Sequence, residues 1–417
     1  MGVTVATDRV ACDTSSGNQA ITVSAGGLTP KAALFILVGA TVDGTAADDR
    51  IISYGAATGT SNRWAIQGYC LHGQGTSAVD SGFANDACIQ IYDTSSTLVC
   101  EADFVSFGVN TVTINWATAP ASAWLLTVVS FSGTDLSAYA GIQDVANTQD
   151  NTIDITDPGF EPNVLFTALN ASLPSSGRTN QFQLSFGVVH NDGASTITQY
   201  ASYWADRDGR ATTDQAMYTS DSAAAIEASP VSGALDFYID CHTFDSSGFS
   251  ISARNAGGNG RDLLYLALSF GGAVDSWVGL YSTPTSTGSD SNTGPGFTPQ
   301  YLHMINTYAE AVDTAYDTPF AGSSGFSAID ANSQFSSSFN GEKGVATSNE
   351  QSLSDNVAVE LPDDDGSAGL TASFTSFDAN GWTLNYSAVE ANAKLFFALA
   401  IEGEAAAPAR RIFITAS

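Results

Sequence analysis

Gly27-Leu28-Thr29-Pro30-Lys31-Ala32-Ala33-Leu34-Phe35 begins a pattern that returns twice in the chain. The second copy reads Gly159-Phe160-Glu161-Pro162-Asn163-Val164-Leu165-Phe166, and the third reads Gly296-Phe297-Thr298-Pro299-Gln300-Tyr301-Leu302-His303. The three prolines stand 132 and 137 residues apart. About eighty residues further on, each copy carries a second landmark. The first version is Phe104-Val105-Ser106-Phe107-Gly108-Val109-Asn110-Thr111-Val112-Thr113-Ile114-Asn115-Trp116. The others are Phe244-Asp245-Ser246-Ser247-Gly248-Phe249-Ser250-Ile251-Ser252 and Phe374-Thr375-Ser376-Phe377-Asp378-Ala379-Asn380-Gly381-Trp382-Thr383-Leu384-Asn385-Tyr386. Phe107, Phe244 and Phe377 keep nearly the same spacing, 137 and 133 residues. A third landmark, an apolar strand ending in glycine, closes each copy at residues 124–133, 263–272 and 394–403. Self-similarity of this kind defines the architecture before any finer reading.

The landmarks predict strands. Asp378-Ala379-Asn380-Gly381 is turn chemistry, with Asn and Gly tolerating positive φ. After it Trp382, Leu384 and Tyr386 alternate with Thr383 and Asn385, the period of a half-buried antiparallel strand. The proline of the first landmark precedes its strand, where its missing N–H costs no ladder bond. The closing strand is apolar throughout and predicts a central position covered on both faces. The expectation is an all-β protein: three tandem antiparallel β-sandwich or jelly-roll modules of similar fold, over 1–134, 148–273 and 291–404, followed by a tail at 405–417. Residues 135–150 and 274–294 are expected to be linkers, the second flexible because Ser, Thr, Gly and Asp dominate it. The poorly matched centres, residues 41–93, 170–230 and 309–365, are expected to be long variable loops carrying function. Short helical turns are expected at 301–318 and 220–228.

Composition agrees with this class and removes others. Charged residues make up 13% of the chain, against roughly 25% in an average domain. Forty-three acidic residues against thirteen basic ones give a net charge of −30, a field that repels nucleic acid and anionic membrane surfaces. The longest apolar runs fall far below the roughly 20 residues of a membrane helix. Met1 to Thr14 has neither a basic start nor an apolar core, so no secretory signal is expected. Five cysteines (Cys12, Cys70, Cys88, Cys100 and Cys241) lack CxxC spacing and do not repeat with the modules, which predicts buried free thiols rather than a disulfide framework.

Chemical motifs are scarce. His72, His190, His242 and His303 show no ligand spacing and no HExxH, so no metal site or cofactor is expected. Neither a Gly-x-Ser-x-Gly elbow nor a phosphate-binding glycine loop occurs. Asp363-Asp364-Asp365-Gly366 and Asp206-Arg207-Asp208-Gly209 place carboxylates beside glycine as calcium loops do, but neither continues to an EF-hand, and solvated acidic turns are expected. Paired carboxylates for glycoside hydrolysis cannot be singled out among so many acidic residues. Trp64, Tyr69, Tyr200, Tyr203, Trp204 and Tyr218 lie in the variable stretches. There they serve either core packing or stacking on sugars, with Trp64, Tyr203 and Trp204 the candidate glycan contacts. In the tail, Arg410, Arg411, Ile412, Phe413 and Ile414 suggest a docking strand for a partner, or equally a last strand folding back on its own module.

Taken together, Asn18-Gln19, the Gly27–Leu34 stretch, Asp43-Gly44-Thr45-Ala46-Ala47-Asp48-Asp49-Arg50, the Phe104–Trp116 strand pair and Tyr265-Leu266-Ala267-Leu268 resemble structural-region proteins of tailed bacteriophages. The first landmark with its late Gly-Phe strand is also similar to the small sandwich of H-type lectins found in phage fibres. The resemblance covers all three copies, the first most closely. It implies a non-catalytic virion component, assembled in the host cytoplasm without a signal peptide and displayed on head or tail as a spike, fibre or decoration. Its partners would be other capsid or tail proteins, with many copies or a homo-oligomer per particle. A host-glycan-binding adhesin is the alternative, and a polysaccharide hydrolase the third reading. Three modules in one chain would also imitate a trimer.

Overall fold

The computed structural model describes residues 2–403 apart from 147, 172–174, 194–195, 230, 232, 255–259, 273, 317–323 and 364–367. The protein is all-β, and its described residues contain no helix. Each copy folds into two antiparallel sheets, one of seven strands and one of four. In the first copy the large sheet runs Val3–Ala11, Leu125–Gly133, Pro30–Val38, Arg50–Gly59, Asn62–Cys70 and Val79–Ala84. Its small sheet runs Gly17–Thr22, Thr111–Thr118, Leu98–Gly108 and Ile89–Tyr92. The second and third copies repeat both orders.

The second landmark is the hairpin of the small sheet. Gly108 pairs with Thr111, Asp245 with Gly248 and Asp378 with Gly381, so each hairpin closes through a two-residue turn. Asn110 takes φ 53° in the first of these turns. Val112, Ile114 and Trp116, like Trp382, Leu384 and Tyr386, are buried as the alternation predicts. The closing strands lie second in each large sheet, between the first strand of the copy and the strand after the Gly-x-x-Pro landmark. They are buried on both faces.

Three expectations are corrected. The stretches 135–150 and 274–294 are not linkers: Ser137–Val145 and Ser276–Ser282 are the first strands of the second and third large sheets. The second module thus begins before residue 148 and the third before 291. The supposed variable loops hold five strands in each copy, because their residues diverge in sequence without leaving the sheets. The helical turns are absent from the described residues. The strands Pro299–Thr307 and Thr314–Tyr316 overlap 301–318, and Gln215–Ser220 and Ala225–Ala228 overlap 220–228.

Nor are the modules beads on a string. The seventh strand of every large sheet is donated by another copy. Gly177–Thr179 of the second pairs with Val79–Ala84, Thr314–Tyr316 of the third pairs with Gln215–Ser220, and Ala47–Asp48 of the first pairs with Glu350–Asp355. The donations run 2→1, 3→2 and 1→3, closing a ring. One face of each large sheet packs on its own small sheet, and the other turns to a pseudo-threefold axis. There Tyr54, Phe186 and Phe326, which occupy equivalent strand positions, meet with ring centroids 4.9–5.2 Å apart. Phe182, Trp204 and Phe339 form a neighbouring cluster, and Phe131, Phe166, Tyr301 and His303 fill another level of the same core.

The ring is hydrogen-bonded at one end of the axis. Gly209 N donates to Ser77 O and Ser77 N to Arg210 O. Gly344 N donates to Thr213 O and Thr213 N to Val345 O, while Gly73 N donates to Ser348 O and Ser348 N to Gln74 O. Gly73, Gly209 and Gly344 sit at the same place in the three loops, with φ of 72°, 70° and 82°, where only glycine is unstrained. Strand registers also make Thr58, His190 and Asp330 equivalent, and each bonds the first strand of the next copy in the ring. Ala140 N donates to Thr58 Oγ1 at 3.1 Å and Thr7 N to Asp330 Oδ2 at 2.7 Å, while His190 Nε2 and Ser276 Oγ are 3.1 Å apart.

A fragment of residues 1–134 would expose Leu34, Ile36, Tyr54 and Ile66 and lose its seventh strand. It is expected to aggregate or remain without a cooperative transition, whereas the full chain melts as one unit. Size-exclusion chromatography and thermal denaturation check this. A soluble, cooperatively melting fragment would show that the sandwich is self-sufficient.

Candidate functional site

The only titratable cluster with metal-ligand composition among the described residues is Cys70, Asp206 and Glu350, whose ligand atoms lie within 4.8 Å of one another. It sits on the axis beneath the hydrogen-bonded loops, and each copy supplies one member. Cys70, Asp206 and Gly341 hold equivalent positions at or next to the ends of their strands, and Gln215 and Glu350 begin the strands paired with the last two. Arg50 lies among them. Its Nη2 is 2.9 Å from Asp206 Oδ2 and 2.9 Å from Cys70 Sγ, and its Nε is 3.1 Å from Glu350 Oε2. Gln215 Nε2 donates to both carboxylates, at 3.1 and 2.7 Å, and the Phe182 ring lies 4.2 Å from the guanidinium. Gly341 leaves the room that Gln215 and Glu350 fill.

Burial dominates the electrostatics here. It pushes Asp206 up to about 6 against the pull of Arg50, and pushes Glu350 well above the usual carboxylate range, with the Asp206 charge adding to the effect. One proton shared by the two acids leaves a neutral cluster with Arg50, the state a dry interior favours. Burial likewise raises the Cys70 thiol, which disfavours the thiolate that a metal would need. With its cation supplied by Arg50 and every group buried, the cluster fastens the three copies to one another.

The residues singled out from sequence are distributed elsewhere. Trp64, Tyr203 and Trp204 are 0%, 0% and 1% exposed and offer no face to a sugar. Trp64 Nε1 donates to Tyr265 O of the second copy at 2.9 Å, Trp204 packs on Phe186 and Phe339, and Tyr203 lies between the sheets of its own sandwich. Large aromatic side chains at inward positions contribute most to a core, and that requirement decides their place. Tyr69 bonds Asp49 Oδ2 at 3.0 Å, Tyr200 stacks on Phe397 of the third copy, and Tyr218 is buried. Asp206-Arg207-Asp208-Gly209 belongs to the axial loops, where Asp208 Oδ1 accepts from Val79 N at 3.2 Å and Arg207 pairs with Asp214. Residues 364–366 of the second acidic stretch, and Arg410, Arg411, Ile412, Phe413 and Ile414, lie outside the described residues. All five cysteines are buried and unbridged.

The histidines do separate structural work. His72 Nδ1 accepts from Glu350 N at 3.2 Å, and His242 bonds Ser252. His303, on the axis, takes the place of Leu34 and Phe166 in the other copies. Its Nδ1 is 3.1 Å from the Tyr301 hydroxyl, and burial lowers its pKa to about 3.

Sequence reading passed over a cleft at the junction of the second and third copies. It measures about 360 Å³ and is lined by Trp277, Phe297 and Val274 on the apolar side and by His190, Asn191, Asp192 and Asp275 on the polar side. Trp277 lies in the supposed linker, and Phe297 is the apolar residue of the first landmark. The available signal was the likeness of Trp277-Val278-Gly279-Leu280 to Tyr139-Ala140-Gly141-Ile142 in the other supposed linker. A smaller hollow of about 230 Å³ shares Asn191 and Gly193 with it and adds Glu161, His242 and Phe244.

No family model matches the sequence, and no curated protein matches it. Among solved structures, a β-fructofuranosidase from Schwanniomyces occidentalis complexed with fructosyl-erythritol aligns over 95% of this chain and 98% of its own at 8% identity. The TM-score of 0.14 means that the two do not share an architecture on which function could be argued.

Two outcomes follow for stability. Arg50→Leu strands two buried carboxylates and is expected to cost about 3–5 kcal/mol, read as a fall in the urea midpoint. Combining it with Asp206→Leu and Glu350→Leu should recover most of the loss. For His303 the folded pKa lies below the unfolded value, so its contribution is present above pH 6.5 and is lost as pH falls toward 3. His303→Leu should flatten the acid limb of stability against pH by up to about 1.4 kcal/mol per unit, measured by denaturation across that window.

Proposed function

We propose that the chain is a non-catalytic structural component of a bacteriophage virion, displayed on the head or tail as a spike, fibre or decoration. The observation that carries this reading is the closed ring of three sandwiches. A single polypeptide makes a threefold block with a common core, reciprocal strand donation and an axial ion cluster. The conspicuous charged groups are spent on holding copies together. Such a block fits a symmetry-matched position in an assembly, and its net charge of −30 keeps many crowded copies soluble and off nucleic acid. The phage setting comes from the resemblance of the repeat landmarks to tailed-phage structural proteins. Its partners are then neighbouring capsid or tail proteins, and its location is the particle. Mass spectrometry of gradient-purified virions is expected to find the chain in fixed stoichiometry to the major capsid protein. Its absence from particles while present in the infected-cell lysate would overturn the reading.

A second reading, a host-glycan adhesin, is favoured by one observation: the cleft that combines Trp277 with amide, imidazole and carboxylate groups. The two readings are compatible, since a displayed protein is well placed to bind a surface.

A further inference from the structure

We propose that the cleft between the second and third copies binds one uncharged saccharide per chain, with Trp277 as its stacking platform. This deepens the adhesin reading and stands apart from the virion assignment, which does not require sugar binding.

The cleft brings together the two things a pyranose needs. A sugar ring has an apolar C–H face and an edge of hydroxyls, and sites for small polar ligands pair apolar walls with a few placed polar groups. Trp277 is half-buried, with its indole fixed by Trp382 at 5.9 Å between ring centroids. The ring also lies over Gly279 and Gly294, where a Cβ at either position would collide with it. Its orientation is therefore set before a ligand arrives, which reduces the ordering cost of binding. Phe297 and Val274 extend the apolar wall.

The polar wall is equally fixed. Asn191 donates to Glu161 Oε1 at 3.1 Å and accepts from Gly193 N at 3.1 Å, and His190 is held by Ser276. Burial lowers the His190 pKa, so at neutral pH it meets hydroxyls as an uncharged imidazole. Asp192 and Asp275 are exposed at the rim and supply hydroxyl acceptors. Those carboxylates, within a strongly anionic chain, select against uronic and sialic acids. The volume of about 360 Å³ lies at the lower end of ligand pockets, enough for a short saccharide, and the adjoining hollow at Phe244 offers room for the chain to continue.

The site does not repeat around the ring. Strand register places Tyr139 and Thr58 at the first junction where Trp277 and His190 stand, and Ala6 and Asp330 at the third. A stoichiometry of one is the signature of this cleft, whereas binding in the module framework would give three.

The test uses the full chain on an array of neutral and acidic bacterial surface oligosaccharides. Saturation-transfer NMR and calorimetry follow for the best neutral binder and its uronate analogue. Expected are a 1:1 complex, uronate binding weaker by about tenfold or more, and a loss of about tenfold or more in Trp277→Ala. Asp275→Asn, at an exposed position, should weaken binding without moving the melting temperature, and it keeps the test open if Trp277→Ala does not fold. A silent array, a stoichiometry of three, or unchanged affinity in Asp275→Asn and a folded Trp277 variant would each overturn the proposal. Particle incorporation, scored separately, bears only on the virion reading.

Discussion

Each seven-stranded sheet must be covered on both faces, and the module has only one small sheet to do it with. That shortage governs the rest of the molecule. The four-stranded sheet hides one face, and the other can be hidden only by the equivalent faces of the remaining two copies. Closing three apolar faces around an axis buries Tyr54, Phe186 and Phe326 together. It also brings the outer edge of each sheet within reach of a neighbour. The donated strands Gly177–Thr179, Thr314–Tyr316 and Ala47–Asp48 then satisfy edges that would otherwise invite foreign pairing.

Threefold pseudo-symmetry cannot be exact where polar groups meet the axis. Three identical arginines, or three identical acids, would leave like charges buried together. The chain resolves this with unlike residues at like positions: Cys70, Asp206 and Gly341 in one set, and Val79, Gln215 and Glu350 in another. One guanidinium and two acids sharing a proton make a neutral cluster to which all three copies contribute. Buried ion networks add little net stability, but in some systems they select one arrangement over its alternatives. Here the asymmetry fits a ring that closes within one polypeptide.

This division explains what the sequence reveals and what it hides. The small-sheet hairpins face the interior of their own sandwich and the closing strands are covered on both faces, so all three copies retain the same signals: Phe107, Phe244 and Phe377 before a tight turn, and apolar runs such as Leu263–Leu268. The strands facing the axis pack against two non-identical partners. Their residues diverge, and they read as variable loops even though they are the most buried part of the molecule. Trp64 and Trp204 look like surface aromatics for the same reason. Arg50 stands in a conspicuous Asp-Asp-Arg stretch, and Asp206 in an apparent acidic turn, but their meeting spans 156 residues and depends on register no local pattern contains. Trp277 is obscured by its neighbours: Ser, Thr and Gly on both sides give a seven-residue strand the composition of a linker.

Reciprocal donation has a consequence for synthesis. The edge of the third sheet is completed by Ala47–Asp48, made before any other strand of that sheet, and the edge of the first by residues made only after its own sandwich is complete. Native contacts therefore span nearly the whole chain, a topology that delays closure. Until Leu395–Glu402, the closing strand of the third copy, leaves the ribosome, two finished sandwiches stand with inner faces that the third has yet to cover. In that interval the nascent chain is a natural client for a chaperone, and its own high negative charge, by keeping separate chains apart, favours closure with itself over pairing with a neighbour.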